Sequence, residues 1–403
     1  MIQTPRSMRP AGGSSTQKII TAVISTIKTL LRTAPLIHPG RGPGALFKQG
    51  RHLLRGIGFL RLNRNWCEIL QSRALAGISV NHPCLYQKLQ RPYLNRRLTT
   101  RQRFYALENH YHFVATCFSP EAIKKIYAKP AGGKSGSVGA GILLAELPLE
   151  EVGQLGLRLS FSWQEKEGDL AISLVNLDNG VNLFSLTFSV PFFWPGAGEI
   201  FIGGLQGNKR ANRKDDVVAI TRGLHGLRPK ALLLFALQEL AGIWGIARLR
   251  AVSDANHIYR HWQKRRSVAA SYDQSWLESG GQLAADGMFD LPATFVPREM
   301  NTLKANKRQL YRRRYQQMAG IGAQIRASQI GTLRNLAPQA TDVKNSLARQ
   351  DRYYKSVPNL LPLLPGLLGI DTGGDHGRYP PHLLSWNQRH RPACPDIDRE
   401  ELE

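Results

Sequence analysis

Apolar and polar positions change rhythm several times along this chain. Leu155, Leu157, Leu159, Phe161 and Trp163 alternate with smaller or polar residues, the period of a half-buried strand. Leu170 to Leu177 and Val181 to Val190 continue the strand character. Asp178-Asn179-Gly180 between them is a hairpin signal. From Glu199 the chain reads as a strand that runs into a glycine-rich turn, Gly203-Gly204-Leu205-Gln206-Gly207. A basic loop follows, then a helix from Ala231 to Ile243 and a short strand from Ile246 to Val252. In that helix Leu233, Ala236, Leu237, Leu240, Ala241 and Trp244 recur at helical spacing, and Pro229 sits where a first-turn proline is tolerated. Consecutive strands on short turns imply an antiparallel β-meander. With helices packed on it, the expected class is α+β rather than a doubly wound sheet.

The flanks have a different texture. The first 17 residues are rich in Gly, Ser and Pro and read as disordered. Lys18 to Arg32 fits a helix with Ile20, Val23, Ile24, Ile27 and Leu31 on one side, which either lies on an anionic membrane or packs on the body. Residues 35–58, with many Gly and Pro, read as linker. Several short basic helices are expected from Arg51 to Leu107. Arg101 to Phe118 reads as helix, and Ser119 caps a further one that starts at Pro120. Residues 319–403 show no sustained period, so a poorly ordered tail is expected there. The expected organisation is an N-terminal segment over 1–50, an α+β domain over 51–318 and the tail.

Charge sharpens this division. The chain of 403 residues has a formal charge of +25. Residues 1–105 hold 18 Lys/Arg against the single acid Glu68, residues 106–301 are nearly balanced, and residues 302–318 add six bases and no acid. A near-neutral body between basic flanks suggests an anionic partner: membrane lipid, another polyanion, or nucleic acid bound without sequence specificity. A solvated basic surface is the plainer alternative. Cys67, Cys84, Cys117 and Cys394 lack metal-ligand spacing and fit a reducing compartment. The stretch Ile19 to Leu31 is too short to span a bilayer, so no transmembrane segment is expected. The expected location is cytoplasmic, including the inner membrane surface.

Three candidate chemistries follow. The first is acyl transfer, in which Gly204, Gln206, Gly207, Arg228 and Lys230 hold the phosphates of a coenzyme A thioester. The order of elements resembles that of N-acyltransferases, where a glycine-rich turn and helix N–H groups bind pyrophosphate. Structural glycines at a strand end are the alternative. The second is acid–base chemistry by His257 and Asp254, with Asp273 and Glu278 nearby in sequence. Against it, Asp254 or Asn256 could cap a helix beginning near His257. The third is anion binding by Lys304, Lys307, Arg308, Arg312, Arg313 and Arg314, interleaved with Tyr311 and Tyr315. Its alternative is a solvated helix end.

The runs Ile202 to Gly207, Leu224 to Lys230, Ala251 to His257, Tyr272 to Trp276 and Asp286 to Pro292 occur in order. With the basic stretch Asn306 to Tyr315 they resemble the VirK/YbjX family, a bacterial family of unknown biochemical function. The resemblance covers roughly residues 55–318. It implies association with virulence, envelope integrity, resistance to cationic antimicrobial peptides and the response to DNA damage. It supplies no catalytic residues, and the chain beyond Met318 departs from the family pattern.

Overall fold

The computed structural model describes residues 15–129, 141–194, 197–208, 214–259 and 271–333, all within one compact unit. The first 14 residues and residues 334–403, most of the expected tail, lie outside the described residues.

Eight strands form one sheet in the order β1-β2-β3-β4-β5-β6-β8-β7. They are β1 (Ile142–Leu149), β2 (Gly153–Phe161), β3 (Leu170–Asn176), β4 (Asn182–Trp194), β5 (Ala197–Gly207), β6 (Arg248–Ala251), β7 (Gln282–Leu283) and β8 (Phe289–Leu291). The first five pair antiparallel, as the alternating pattern predicts, and Gly180 takes the positive φ that the β3–β4 hairpin requires. Between β5 and β6 the pairing is parallel, so a crossover must join them. That crossover consists of α7 (Lys214–Gly223) and α8 (Pro229–Ile243). The α+β expectation therefore holds, with one parallel pair inside a mostly antiparallel sheet.

Helix α8 starts at Pro229 and is apolar almost all round, with Leu232 to Leu237, Leu240 and Ala241 buried against β3, β4 and β5. Helix α5 (Thr100–Cys117), which follows α3 (Leu60–Leu70) and α4 (Ala76–Asn81), packs on β4. It begins with a capping box, in which Thr99 and Gln102 satisfy each other's backbone N–H. Ser119 caps α6 (Pro120–Ile126), as its position before a proline predicts.

Three expectations change. Residues 35–58 are not linker: α1 (Ser15–Ile37) and α2 (Pro43–Gly58) form a helical hairpin. Gly56 permits the close crossing, since a Cβ there would stand 2.6 Å from Leu30 Cδ1. Helix α1 also outruns the short apolar stretch read from sequence. Its residues Ile20–Ile37, of mean hydropathy 1.3, are long and apolar enough to cross a membrane by length and composition. Finally, α10 (Ala305–Ser328) continues past Met318 and buries Met318, Ile321 and Ile325 on β1 and α8. Gln324 accepts from the Glu146 N–H at 2.8 Å and so covers an edge of β1. Thr332 O accepts from the Ser119 N–H, which ties down the chain just after α10.

Candidate functional site

The glycine run is not a turn. Gly203 to Gly207 belong to β5, and Gly204 to Gly207 remain paired with β4. Thr187 pairs with Gly204 and Phe188 with Ile202, so Gly203 is an extra residue in β5, a β-bulge. On its other side β5 pairs with β6 only from Glu199 to Ile202, with a last bond from the Val252 N–H to Ile202 O at 2.9 Å. Beyond that point the two parallel strands part. Residues 254–256 form a turn, and the Leu205 backbone amide, on the edge that β6 has left, lies beside the Tyr272 hydroxyl.

The glycines have a long-range cause. Any Cβ on Gly203 would overlap the Glu167 carbonyl oxygen, and one on Gly204 would overlap the Glu167 carboxylate. Glu167 comes from the β2–β3 turn and is fully buried. Gln206 Nε2 donates to both of its oxygens, at 2.8 and 2.6 Å. His257 Nε2 lies 3.3 Å from Oε1, within ion-pair range. Its Nδ1 accepts from the Tyr259 N–H at 3.4 Å, which leaves Nε2 as the nitrogen that faces Glu167. The His257 ring stacks on Tyr272 at 4.8 Å, and Tyr272 stacks in turn on the buried Trp276. Burial, with Glu167 nearby, raises the Tyr272 hydroxyl well above the ordinary phenol range, so it stays protonated. Glu167, His257, Gln206 and Tyr272 thus meet where β5 and β6 part.

Two supports hold them. Asp169, two residues after Glu167, is fully buried and accepts from Lys88 Nζ at 2.5 Å, from the Tyr111 hydroxyl at 2.8 Å and from the Tyr93 hydroxyl. Burial alone would raise its carboxyl; the Lys88 ammonium outweighs this and holds it below the ordinary carboxylate value. The segment Tyr93 to Arg96 braces both loops: the Leu94 N–H donates to Lys166 O at 2.7 Å and the Arg96 N–H to Asn256 O at 3.1 Å.

Of the residues expected from sequence, His257 and Gln206 are brought together, while Asp254 is hydrogen-bonded to the start of the next helix. Asp254 accepts from the Tyr272 N–H and the Ser271 hydroxyl, both at 3.0 Å, while its own N–H donates to Asp273 Oδ1 at 2.6 Å. It thus holds the start of α9 (Tyr272–Glu278), whose N-cap is Ser271, and so positions Tyr272. The expected phosphate cradle does not form. The face of Gly204 is covered by a carboxylate, which repels phosphate, and Gln206 is engaged by that carboxylate. Gly207 pairs with Phe184. Arg228 pairs with Glu278 at 3.2 Å on the surface. Burial lowers the Lys230 amine, with Glu278 opposing. Among the described residues no hydrogen bond or ion pair links Arg228 or Lys230 to Gln206 or Gly207. On α10, Lys304, Lys307, Arg312 and Arg313 are exposed. Arg308 Nε donates to Leu303 O, and Arg314 Nε donates to His225 O with its guanidinium over the Tyr311 ring. Glu167 was not legible from sequence, because its partners lie 39 and 90 residues further on; the acidic turn Glu165 to Asp169 was the only local signal.

The class this defines is an α+β protein with a buried Glu–His–Tyr cluster at a split between parallel strands. The chain belongs to the family described as a protein of unknown function (DUF535), whose model matches residues 44–327. It is 31% identical to the uncharacterized protein YbjX of Escherichia coli (strain K12) over 284 residues, 69% of this chain and 82% of that protein. Two uncharacterized proteins of Haemophilus influenzae are 28% and 25% identical, covering 42% and 55% of this chain and 57% and 68% of their own lengths. No solved structure matches the chain.

Proposed function

We propose that the protein is an acyltransferase-like enzyme that takes an acyl thioester at the split between β5 and β6. One observation carries this reading: past the bulge at Gly203, the Leu205 N–H faces the Tyr272 hydroxyl instead of a neighbouring strand. An acyl carbonyl placed there would meet a fixed backbone donor in a dry setting, where such donors stabilise developing oxyanions best. The freed edge of β5 could also take an extended amide-containing arm as an added strand. A bound thioester supplies the activated acyl group. Tyr272 Oη, kept protonated by burial, is the proton donor. Glu167, with His257 Nε2 at 3.3 Å, is the group that would accept a proton from an amine or hydroxyl acceptor. The glycines at 203 and 204 serve this arrangement by admitting Glu167, not by cradling phosphate.

An acceptor in the bacterial envelope would join this chemistry to the envelope, antimicrobial-peptide and virulence setting that the resemblance implies. The test is calorimetric titration of the full chain with coenzyme A, acetyl-coenzyme A and palmitoyl-coenzyme A, followed by a thiol-release assay. Tyr272→Phe is expected to keep thioester affinity and to lose roughly 100-fold or more in thiol release, the usual effect of removing a positioned acid. No binding of coenzyme A or of either thioester would refute the enzymatic reading and leave a non-catalytic adaptor.

A further inference from the structure

The outer side of the α1–α2 hairpin combines two features that rarely share a soluble surface. Nine large apolar side chains between Ile20 and Phe59 are 42–74% exposed, half of all such side chains among the described residues. On α2 the outward positions Phe47 and Leu54 are seven apart and fall on one line, with Leu46 and Ile57 on one flank. Lys48 and Arg55 occupy the other flank, and the Arg51 guanidinium lies 5.8 Å over the Phe47 ring. On α1 the outward line carries Ile20, Ile24, Lys28, Leu31 and Arg32. No acid occurs before Glu68, and that carboxylate faces Arg64. Among the described residues none of these outward cations has an ion-pair partner.

This is not a core face left open. The opposite side of the hairpin is already packed, with Leu30, Ala34, His52 and Gly56 buried. The hairpin is thus held to the body by one side and presents an apolar ridge with a cationic border on the other.

We infer that this outer side is a docking surface for an anionic lipid bilayer, entered by Phe47 and Leu54 and bordered by Lys48, Arg51 and Arg55. The charge pattern selects the occupant. A protein partner of mixed charge would need a mixed border, whereas anionic head groups complement cations of a single sign, and the apolar ridge reaches the acyl boundary. The bilayer is met in the plane of its surface, because Thr26, Leu30, Thr33 and Ala34 fasten α1 to the body and Lys28 and Arg32 interrupt its apolar stretch. The inference is independent of the acyl-transfer reading.

The test is co-sedimentation of the full chain with phosphatidylethanolamine vesicles that contain phosphatidylglycerol, against vesicles of phosphatidylcholine alone. Binding is expected to the anionic vesicles and to weaken several-fold between about 0.1 and 0.5 M salt. Phe47→Asp with Leu54→Asp is expected to lower partitioning roughly tenfold or more, and Lys48→Glu with Arg51→Glu and Arg55→Glu similarly. These side chains are exposed, so circular dichroism should show an unchanged fold. Lys307→Glu with Arg312→Glu on α10 is the control and should stay within about twofold. Equal binding to both vesicle types, or α2 variants that bind like the parent, overturns the inference. A dimer in light scattering that Phe47→Asp abolishes, without vesicle binding, overturns it too and assigns the surface to a second copy. Retention through alkaline carbonate would mean a spanning α1 and would likewise overturn it.

Discussion

Lys88→Met tests whether the site rests on the buried ion pair beneath it. Lys88 and Asp169 are 3% and 0% exposed, and their charges meet at 2.5 Å. Methionine keeps most of the stem and removes the charge. The carboxylate then retains hydrogen bonds from Tyr93, Tyr111 and Ser189 but faces no cation. Breaking a buried pair from one side costs about 3–5 kcal/mol, and three surviving hydroxyl donors place this case near the lower end, about 3 kcal/mol. For a folded unit of this size that lowers Tm by roughly 6–12 °C. The pH dependence has a definite sign. Asp169 is held below its ordinary value, so its contribution is full above the unfolded carboxyl pKa and is lost as pH falls through the folded one. In Lys88→Met that depression disappears, and the gap to the parent should be widest at neutral pH and narrow below about pH 4. Adding Asp169→Asn to Lys88→Met removes the unpaired charge and should recover part of the loss. Differential scanning calorimetry at neutral and acid pH decides the matter. A neutral-pH Tm within about 1 °C of the parent, or a deficit independent of pH, would refute the reasoning.

Other outcomes follow from the same contacts. Burial holds the imidazoles of His52 and His110 down to about 4, so the folded state binds fewer protons than the unfolded chain between that value and about 6.5. Stability must then fall as pH drops through this window, and a urea midpoint that stayed flat there would contradict neutral buried rings. Gly203→Val forces the Glu167 loop off β5 and should cost about 3 kcal/mol or more, read as lost Tm; a neutral result would show that the loop is not packed on the bulge. Arg250→Met leaves Asp286, bonded to Arg250 at 2.6 Å, and the buried Glu199 without their main cation, and a loss of about 3 kcal/mol is expected in urea unfolding. Asp254→Ala removes the bonds that start α9 and should lower thiol release through Tyr272 while costing only about 1 kcal/mol of stability. An unchanged rate in that variant would separate α9 from the site.

The central sheet was legible because its signals are local. Alternation over Leu155 to Phe161 and the Asn179-Gly180 turn each act within a few residues, and the structure places β2, β3 and β4 where they fall. The same holds for α8, whose proline start and apolar spacing are self-contained. The α1–α2 hairpin was half legible. Gly42, Gly44, Gly50, Gly56 and Gly58 made residues 35–58 look like linker, since each glycine weakens an isolated helix by about 1 kcal/mol. Packing reverses that local preference: at Gly56 the absent side chain is what lets α1 approach, and the gain in contact outweighs the helix propensity lost.

The glycines of β5 make the opposite point about function. Gly203-Gly204 satisfies two readings equally well from sequence alone, a phosphate-binding turn or a place where another group presses on the backbone. Nothing within several residues decides between them, because the pressing group is Glu167, 36 residues earlier. The choice also inverts the electrostatics. A phosphate turn would be electropositive, whereas here a carboxylate lies over the glycines and Gln206, His257 and Tyr272 gather around it. The same residues that sequence reasoning assigned to holding an anion therefore build the floor under a buried carboxylate and its partners. On the proposed acyl-transfer reading, a thioester must therefore keep its phosphates away from Gly204 and bring only its neutral acyl end to Leu205.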